Sequence, residues 1–465
     1  MIRIQGANHS EQHTYYELLR ILFPTYEQEE DLFFTVDREQ GYRVTAEIQN
    51  KRVVEEFHGE DDAATKEAVA RWMVRELDLP KKQYSPWGIL TGVRPIKFAL
   101  LHDLSGEEGV RELVEHYLLD SLLAETVVKI ADEERRRFQG SHFMKKGHFS
   151  LYINIPFCAS RCSYCSFPTV VHSSRGEIHD YVSALLTELE ITLAATERAP
   201  DTIYIGGGTP TSIPVGELER LLKALETHIP QGGLEFTVEA GRPDSLSGEM
   251  LALLAAHPVN RMSINPQTMK NETLERIGRP HTAEDILRSY DEARRMGDWS
   301  INMDLIVGLP GETFGDFQDT LEKIHQLGPD DLTIHALSLK NGSKIFEQQG
   351  VQIHPITEWT QYALRENLKK GYEPYYLYRQ KRILGNAENI GYATRGHESL
   401  YNMIMMEELQ TVLGVGMGAT SKIRLEPEKL VGGRMEKFTN YRNLRDYMAH
   451  HQDEGARKVK WEDFL

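Results

Sequence analysis

The feature of this sequence that most restricts its fold is the alternation of short β-rich runs with helical patterns after about residue 150. Six runs, LYINIPF, TIYIGG, LEFTVEA, RMSINPQ, SINMDLIVG and DLTIHAL, begin near residues 151, 202, 234, 261, 300 and 331. Helical patterns fill most gaps, and in HTAEDILRSYDEARRMG we expect Thr282 to cap the helix and Gly297 to end it. Such alternation predicts a parallel sheet with helical crossovers.

Six units are too few to close an eight-stranded barrel. The prediction is therefore an α/β fold with an open, partial (β/α)6 barrel, whose working face lies at the carboxyl ends of the strands. We predict three domains: an N-terminal α+β accessory domain over 1–147, the barrel over 148–345, and a mainly helical domain over 346–465 that closes the barrel.

The first segment carries two or three predicted antiparallel strands in DLFFTVDREQGYRVTAEIQNKRVVEEF, followed by amphipathic helices. Its stretch SPWGILTGVRPIKFALL, with Arg94 and Lys97, is interpreted as a surface loop, with substrate contact as the alternative. In the last segment, GYEPYYLYRQKRILGNAENIGYA reads as irregular.

Composition and charge exclude several functional classes. The formal net charge of −17 disfavours a non-specific grip on nucleic acid. No apolar run approaches the roughly 18 residues that a membrane helix needs. The N-terminal stretch MIRIQGANHSEQHTYY lacks the apolar core of a signal peptide. We therefore expect a cytoplasmic protein with neither a membrane span nor a nucleic-acid partner.

All three cysteines of the chain, Cys158, Cys162 and Cys165, lie in one C-x3-C-x2-C stretch after the first barrel strand. This clustering suits a reducing compartment rather than a disulfide framework. Three thiolates on one loop can bind a single metal centre. Zinc would need a fourth ligand, for which His172 is the nearby residue. An iron–sulfur cluster held by three cysteines would instead leave one iron open to a chelating small molecule.

A glycine-rich stretch, IYIGGGTPT, follows the second predicted strand. Successive glycines let backbone N–H groups approach a ligand closely and form an anion-binding nest. A simple tight turn is the alternative interpretation.

The cysteine stretch, preceded by YINIPF, resembles that of the radical S-adenosylmethionine (SAM) superfamily. The resemblance implies that Cys158, Cys162 and Cys165 hold a [4Fe–4S] cluster, and that the amino and carboxylate groups of SAM occupy its fourth iron. Reductive cleavage of SAM would yield a 5′-deoxyadenosyl radical that abstracts hydrogen from the substrate. The methionyl part of the cofactor would lie against Gly207, Gly208 and Thr209.

Further motifs narrow the resemblance to the oxygen-independent coproporphyrinogen III dehydrogenase group, over about residues 148–425. YINIPFC, GGGTPT, INPQTM, ERIGRPHT, NMDLIVGLPGET and LGVGMGATS occur in the order of that group, and LTGVRPIKFA and GNAENIGYA are similar to stretches of a variant with a long N-terminal extension. The resemblance implies further SAM contacts from Tyr152, Glu239, Gln267, Arg279 and Asp304. The two carboxylates can accept hydrogen bonds from ribose hydroxyls or an ammonium group, and the guanidinium can pair with a carboxylate.

The implied activity belongs to haem biosynthesis. Two propionates of coproporphyrinogen III would be oxidatively decarboxylated to vinyl groups, giving protoporphyrinogen IX, with a reduced flavodoxin- or ferredoxin-like protein as the electron donor. This tetrapyrrole substrate needs cations and large apolar surfaces, for which we predict Arg379 and Lys381 in YLYRQKRILG. A solvated basic turn is the alternative. His335 is the histidine expected to face the cavity, unless it is structural.

Two departures from the group leave other functions open. The dehydrogenases carry a fourth cysteine where this chain has Phe167. Related haem chaperones also lack it, but their His-Asn-x-x-Tyr-Trp stretch is replaced here by ENIGYA, with Glu388 for the histidine and Ala393 for the tryptophan. A carboxylate is a poor substitute for an imidazole at haem iron. The alternatives are a haem-binding chaperone and a radical SAM enzyme for another tetrapyrrole.

Overall fold

A computed structural model describes residues 2–23, 32–38, 42–48, 51–58, 61–77, 86–171, 173–230, 233–339, 343, 356–380 and 383–461. The chain falls into two compact units. The first comprises Met1–Asp132, Ile353–Glu358 and Arg379–Glu388; the second comprises Glu133–Gln352, Trp359–Tyr378 and Asn389–Leu465. The predicted division into three domains is not tested by this grouping and stays a prediction.

The first unit contains a four-stranded sheet. Its strands, in spatial order, are Ile2–Gln5 (β1), Leu32–Asp37 (β2), Tyr42–Ile48 (β3) and Lys51–Phe57 (β4). β2, β3 and β4 are antiparallel as predicted, whereas the parallel edge strand β1 was not predicted. Alternate residues of β2 are buried, and they pack with the helices His9–Leu22 and Asp62–Trp72 in one apolar core.

The described part of SPWGILTGVRPIKFALL is not a surface loop, so that interpretation was wrong. Trp87 is fully buried, and Pro95–Leu101 forms a helix that buries Ile96 and Leu100. Proline suits the first helical position because its missing N–H would be unpaired there in any case. The helices Gly106–Glu115 and Ser121–Phe138 follow.

The second unit is built on one sheet of eleven described strands. Six parallel strands form its centre, in chain order: Phe149–Ile155 (β5), Thr202–Gly207 (β8), Glu235–Glu239 (β9), Arg261–Ser263 (β10), Ser300–Val307 (β11) and Asp331–Ala336 (β12). They begin within two residues of the predicted starts, so the predicted α/β partial barrel is confirmed. A short separate pair, Phe157–Cys158 (β6) and Val170–Val171 (β7), lies between the first two of them in sequence.

Helices connect the parallel strands. They span Arg175–Ala194, Val215–Glu226, Gly248–Ala256, Asn271–Arg276, Ala283–Met296 and Phe314–Leu327. The helix Ala283–Met296 begins and ends as predicted: the Thr282 side chain accepts from the Asp285 N–H in a capping box, and Gly297 follows the last turn. Capping residues and glycines therefore placed these boundaries correctly.

Side chains of the parallel strands alternate between two faces of the sheet. The register sets Tyr152 beside Tyr204, and sets Ser263 between Glu239 and Asn302. The alternate positions, such as Ile153 and Ile205, are fully buried and apolar. One face of the sheet therefore collects polar side chains near the carboxyl ends of the strands.

The segment after residue 346 extends this sheet at both edges. Its strands are Glu373–Tyr378 (β13), Asn389–Ala393 (β14), Thr411–Val415 (β15), Thr420–Arg424 (β16) and Met435–Thr439 (β17). β15 runs parallel to β5, and the other four pair antiparallel to their neighbours. The segment also contains the helices Thr357–Lys369, Leu400–Glu407 and Leu444–Val459. The strands themselves, two of them in the stretch read as irregular, were not predicted.

Among the described residues, no helix has both the length and the apolar character to cross a membrane.

A buried ion pair ties the helix Arg175–Ala194 to the last helix. Lys458 Nζ donates to Glu188 Oε1, and both side chains are fully buried. The same carboxylate accepts from Asn440 Nδ2 at 2.7 Å, Tyr447 Oη at 2.6 Å and the Gly416 N–H at 2.9 Å. These donors offset the cost of removing the charge from water.

Replacing Lys458 with methionine should destabilise the protein, because the Glu188 charge stays buried without its cation. We expect Lys458→Met to lower the free energy of unfolding by about 3–5 kcal/mol. Urea denaturation followed by circular dichroism measures the change. Lys223→Met is the matched control, since the Lys223–Glu219 pair is exposed and such pairs contribute little to stability. Equal losses in the two variants would contradict the prediction.

Candidate active site

The three cysteines lie on the loop that leaves the carboxyl end of β5. Cys158 belongs to β6, whose pairing with β7 closes the base of the loop. Cys162 is buried, Cys158 and Cys165 are half-buried, and all three are free thiols. The strand therefore delivers the whole C-x3-C-x2-C stretch to the end of the sheet at which the working face was predicted.

Residues from two other crossovers hold this loop in place. Arg242, after β9, is buried and donates from Nη1 to the Ser160 carbonyl and to Ser160 Oγ, each at 3.0 Å. Asp244 accepts from the same guanidinium at Nε and Nη2. The Ser163 N–H donates to the Ile277 carbonyl at 2.9 Å. The conformation of the loop that carries the cysteines is thus held by contacts with residues distant in sequence.

The thiols suit a cluster better than a single metal ion. Among the described residues, the set of three ligand atoms within 4.8 Å of one another is His142, His148 and Asp201, and not the cysteine sulfurs. A wider separation of the sulfurs suits a cluster, which takes each sulfur on a different iron, more than one tetrahedral zinc ion. His172, the candidate fourth zinc ligand, lies outside the described residues.

Burial raises the pKa of two of the thiols, Cys158 and Cys165. At Cys158 burial is opposed in part by Thr209 Oγ1, which lies 3.5 Å from the sulfur and lowers the pKa. Metal binding must therefore release protons from these thiols.

The glycine-rich stretch packs against the start of the cysteine loop. The Gly208 N–H donates to the Ile155 carbonyl, the Thr209 N–H to the Phe157 carbonyl, and the Gly207 N–H to Glu239 Oε2 at 3.2 Å. These N–H groups have acceptors inside the protein, so they do not form the predicted anion nest. A Cβ on Gly208 would lie 2.5 Å from the Phe157 carbonyl oxygen. Glycine is required here by packing.

Two carboxylates with opposite pKa shifts lie on the polar face of the sheet. Burial raises the pKa of Glu239 to about 7, and the charge of Asp304 adds to this, while hydrogen bonds from Tyr204 and Gly207 oppose it. Tyr204 Oη lies 2.5 Å from Glu239 Oε1. Burial alone would raise the pKa of Asp304, but His335 and Asn302 lower it overall. Near neutral pH, Asp304 is charged and Glu239 is part-protonated.

Gln267 is held beside Asp304 by backbone pairing. Its N–H donates to the Asp304 carbonyl, and its own carbonyl accepts from the Ile306 N–H, each at 2.9 Å. Its φ of +67° is in the left-handed region, which residues other than glycine rarely adopt. This strained position lies in the predicted cofactor region.

Arg279 is buried beside the cysteine loop. Burial lowers its pKa, but the hydroxyl of Tyr164 and the thiol of Cys162 raise it overall. Nη1 donates to the Asn265 carbonyl, while Nε is buried with no hydrogen-bond partner in the described structure. A buried donor without an acceptor, next to Cys162, suits the carboxylate that the family resemblance implies.

Three tyrosine rings stack on the same face. The Tyr204 and Tyr401 ring centroids are 4.4 Å apart, and those of Tyr152 and Tyr401 are 6.3 Å apart, both in stacked orientation. Tyr152 Oη donates to Asn154 Oδ1 at 3.0 Å. Tyr152 therefore occupies the predicted region, supported by rings that the sequence analysis did not identify.

Of the two predicted substrate cations, only Arg379 lies among the described residues. Arg379 is buried in the first unit, where Nη1 donates to the Leu90 carbonyl at 2.7 Å and the guanidinium lies 4.9 Å from the Trp87 ring centroid. Burial lowers its pKa to about 10. Lys381 lies outside the described residues. Substrate binding by either residue stays a prediction.

The structure brings the predicted cofactor residues of the barrel to one end of the sheet and adds others that sequence reasoning missed. These are Asn154, Tyr204, Arg242, Asn265 and Tyr401. The signal for Asn154 was present, since it follows Tyr152 by two positions on β5. Tyr204 lies beside Tyr152 only through the pairing of β8 with β5. Arg242, Asn265 and Tyr401 carried no signal because their partners are distant in sequence.

The fold and site define a class of protein: a partial α/β barrel with a three-thiol loop at the carboxyl ends of its strands. Residues 152–324 match the family model of the radical SAM superfamily. The chain is 38% identical, over 81% of its length and 76% of the relative's, to the oxygen-independent coproporphyrinogen-III oxidase-like protein HemZ of Bacillus subtilis. It is 32% identical, over 58% of its length and 70% of the relative's, to the haem chaperone HemW of Bacillus subtilis.

A solved structure supports the fold. Coproporphyrinogen III oxidase (HemN) of Escherichia coli matches with a TM-score of 0.53 and 23% identity, over 68% of this chain and 71% of that one. The chain belongs to the radical SAM superfamily, in its group of oxygen-independent coproporphyrinogen III oxidase-like proteins. The resemblance is confirmed, and the predicted cofactors, a [4Fe–4S] cluster and SAM, are those that the family uses.

Loss of one thiol should abolish cluster binding. We expect Cys162→Ala, purified without oxygen, to stay folded but to carry little or no iron and acid-labile sulfide, because an open cluster with two thiolates is poorly held. Iron, sulfide and zinc assays make the measurement, with Ser163→Ala as the control on the same loop. Full iron and sulfide in Cys162→Ala, or one zinc per colourless wild-type chain that is lost in Cys162→Ala, would refute the assignment.

Proposed function

We propose that this protein is a radical SAM enzyme that converts propionates of coproporphyrinogen III to vinyl groups without oxygen. One observation carries the proposal: the cysteine loop, the glycine stretch and a carboxylate pair with opposite pKa shifts lie at one end of a parallel sheet. In open α/β sheets, ligands bind outside the carboxyl ends of the strands. We further propose that it works in the cytoplasm with a flavodoxin- or ferredoxin-like electron donor.

Different residues would bind the two cofactors, the cluster and SAM. Cys158, Cys162 and Cys165 would hold the cluster, which together with SAM supplies hydrogen-abstracting radical chemistry when bound. Arg279 would hold the methionyl carboxylate with its buried Nε. The other contacts, implied by the family, are proposed for Tyr152, Gly207, Gly208, Thr209, Glu239, Gln267 and Asp304.

Aromatic side chains of the second unit suit a flat tetrapyrrole. The rings of Tyr376 and Tyr378 are stacked with centroids 6.3 Å apart, and Tyr378 Oη lies 3.4 Å from His335 Nδ1. His335 Nε2 lies 3.8 Å from Asp304 Oδ1. This group offers apolar ring faces with polar tips beside the proposed cofactor region. Each propionate would lose a hydrogen atom, carbon dioxide and one electron, so an external one-electron acceptor is also needed.

A haem chaperone is the second candidate, because chaperones are among the relatives. By the family resemblance, Glu388 replaces the histidine of the His-Asn-x-x-Tyr-Trp stretch of those chaperones. Its carboxylate is buried and accepts from Trp87 Nε1 at 3.0 Å. A carboxylate engaged inside the protein is a poor axial ligand for haem iron. This contact favours the enzyme.

The two candidates separate in one anaerobic experiment. The cluster-loaded protein is incubated with coproporphyrinogen III, SAM and reduced flavodoxin, and the porphyrins are separated by chromatography. We expect vinyl products that require both SAM and the reductant, and none from Cys162→Ala. Tight haem binding with unchanged coproporphyrinogen, while SAM is being cleaved, would replace the enzyme with the chaperone.

Binding of SAM should depend on the ionisation of Glu239. Its pKa is raised to about 7, so the accepting, charged form is complete above that pH and lost below it. Because SAM would bind the charged form, its affinity should fall by about tenfold when the pH is lowered from 8 to 6. Calorimetry on the cluster-loaded protein makes the measurement. Glu239→Gln should bind more weakly and lack this part of the pH dependence; an unchanged pH profile in that variant would contradict the role.

A further inference from the structure

A second group of metal-ligating side chains lies at the opposite end of the sheet from the cysteines. His142 lies in a short 3-10 turn, His148 immediately precedes β5, and Asp201 immediately precedes β8. Because β5 and β8 are paired and the Asp201 N–H donates to the Phe149 carbonyl at 2.8 Å, the two strand starts are locked together. β5 has seven residues, which separates this group from the cysteine loop by about 20 Å.

The three side chains converge on one point. His148 Nδ1 lies 3.0 Å from Asp201 Oδ2, and His142 Nε2 lies 3.7 Å from Asp201 Oδ1. One ligand atom from each residue lies within 4.8 Å of the other two. A hydrogen bond explains His148 and Asp201, but 3.7 Å is beyond the range of a hydrogen bond. His142 is held near Asp201 by ring contacts with Phe143 and His148 rather than by a hydrogen bond to the carboxylate.

Buried residues orient the carboxylate from behind. Gln410 Nε2 donates to Asp201 Oδ2 at 2.6 Å, and Ser150 Oγ donates to Gln410 Oε1 at 2.8 Å. Gln410 and Ser150 are both buried. Metal sites use such outer hydrogen bonds to fix their ligands. Asp201 is thus held in one orientation before any cation arrives.

We propose that His142, His148 and Asp201 form a binding site for a divalent transition-metal cation of the zinc type. Two imidazoles and one carboxylate are a ligand set that zinc accepts, with a fourth position for water. Calcium and magnesium prefer oxygen ligands. The His142 side chain is 54% exposed, so a cation can enter from solvent, whereas His148 and Asp201 are each 14% exposed. The site is separate from the proposed cluster, and its cation would tie the turn before β5 to the start of β8.

Equilibrium dialysis tests the site on the full-length, cluster-loaded protein without oxygen. The probe is zinc at buffered free concentrations, with zinc and iron counted in each sample. We expect one zinc per wild-type chain beyond the iron of the cluster. His142→Ala, which keeps the His148–Asp201 pair, should bind zinc at least about tenfold more weakly, as should Asp201→Asn.

His257→Ala is the matched control, because His257 also pairs with a carboxylate, Glu226, at 2.6 Å but has no part in the cluster of three ligands. It should bind zinc like wild type, with equal iron in all proteins. Zinc should also raise the melting temperature of wild type and His257→Ala, but not that of His142→Ala, because a ligand that binds the folded state stabilises it. Zinc binding that is absent, or equal in His142→Ala and wild type, or gained only as iron is lost, would overturn the proposal.

Discussion

Parallel pairing of β5 with β8 on one side and β15 on the other is the interaction on which the second unit depends. The pairing aligns the strands so that their carboxyl ends share one edge of the sheet. At that edge β5 continues into the cysteine loop, and β8 continues into the glycine stretch that packs on it. At the other edge the same pairing sets His148 beside Asp201. Both the candidate active site and the proposed cation site follow from one strand register.

The polar face of the sheet contains two carboxylates, Glu239 and Asp304, whose pKa values are shifted in opposite directions. Buried carboxylates are costly unless donors or cations accompany them. At Asp304 burial raises the pKa, but His335 and Asn302 lower it overall. At Glu239 burial raises the pKa to about 7, although the Tyr204 hydroxyl and the Gly207 N–H donate to the carboxylate. Two carboxylates on one face of the sheet thus differ in charge near neutral pH. Such pairs are common at functional sites, where one group stays charged and the other can carry a proton.

By the family resemblance, this chain departs from the enzymes at one position and from the chaperones at another. Phe167, on the cysteine loop and 62% exposed, replaces a cysteine of the dehydrogenases, as described from the sequence. Glu388 replaces a histidine of the chaperones and is committed to Trp87. The second replacement is tied into buried structure, whereas the first leaves an apolar side chain open to solvent. The contact of Glu388 therefore carries more weight in choosing between the two candidate functions.

The sequence by itself determined the parallel barrel, because strand and helix periods and capping residues such as Thr282 act within a few positions of one another. It also identified the cysteine loop and the family, since short motifs carry both. The tertiary structure decided what depends on distant contacts: that Arg242 holds the cysteine loop, that the glycine N–H groups are occupied inside the protein, and that Trp87 and Arg379 are buried together. It also decided that five later strands join the sheet, because edge pairing depends on partners far away in the chain.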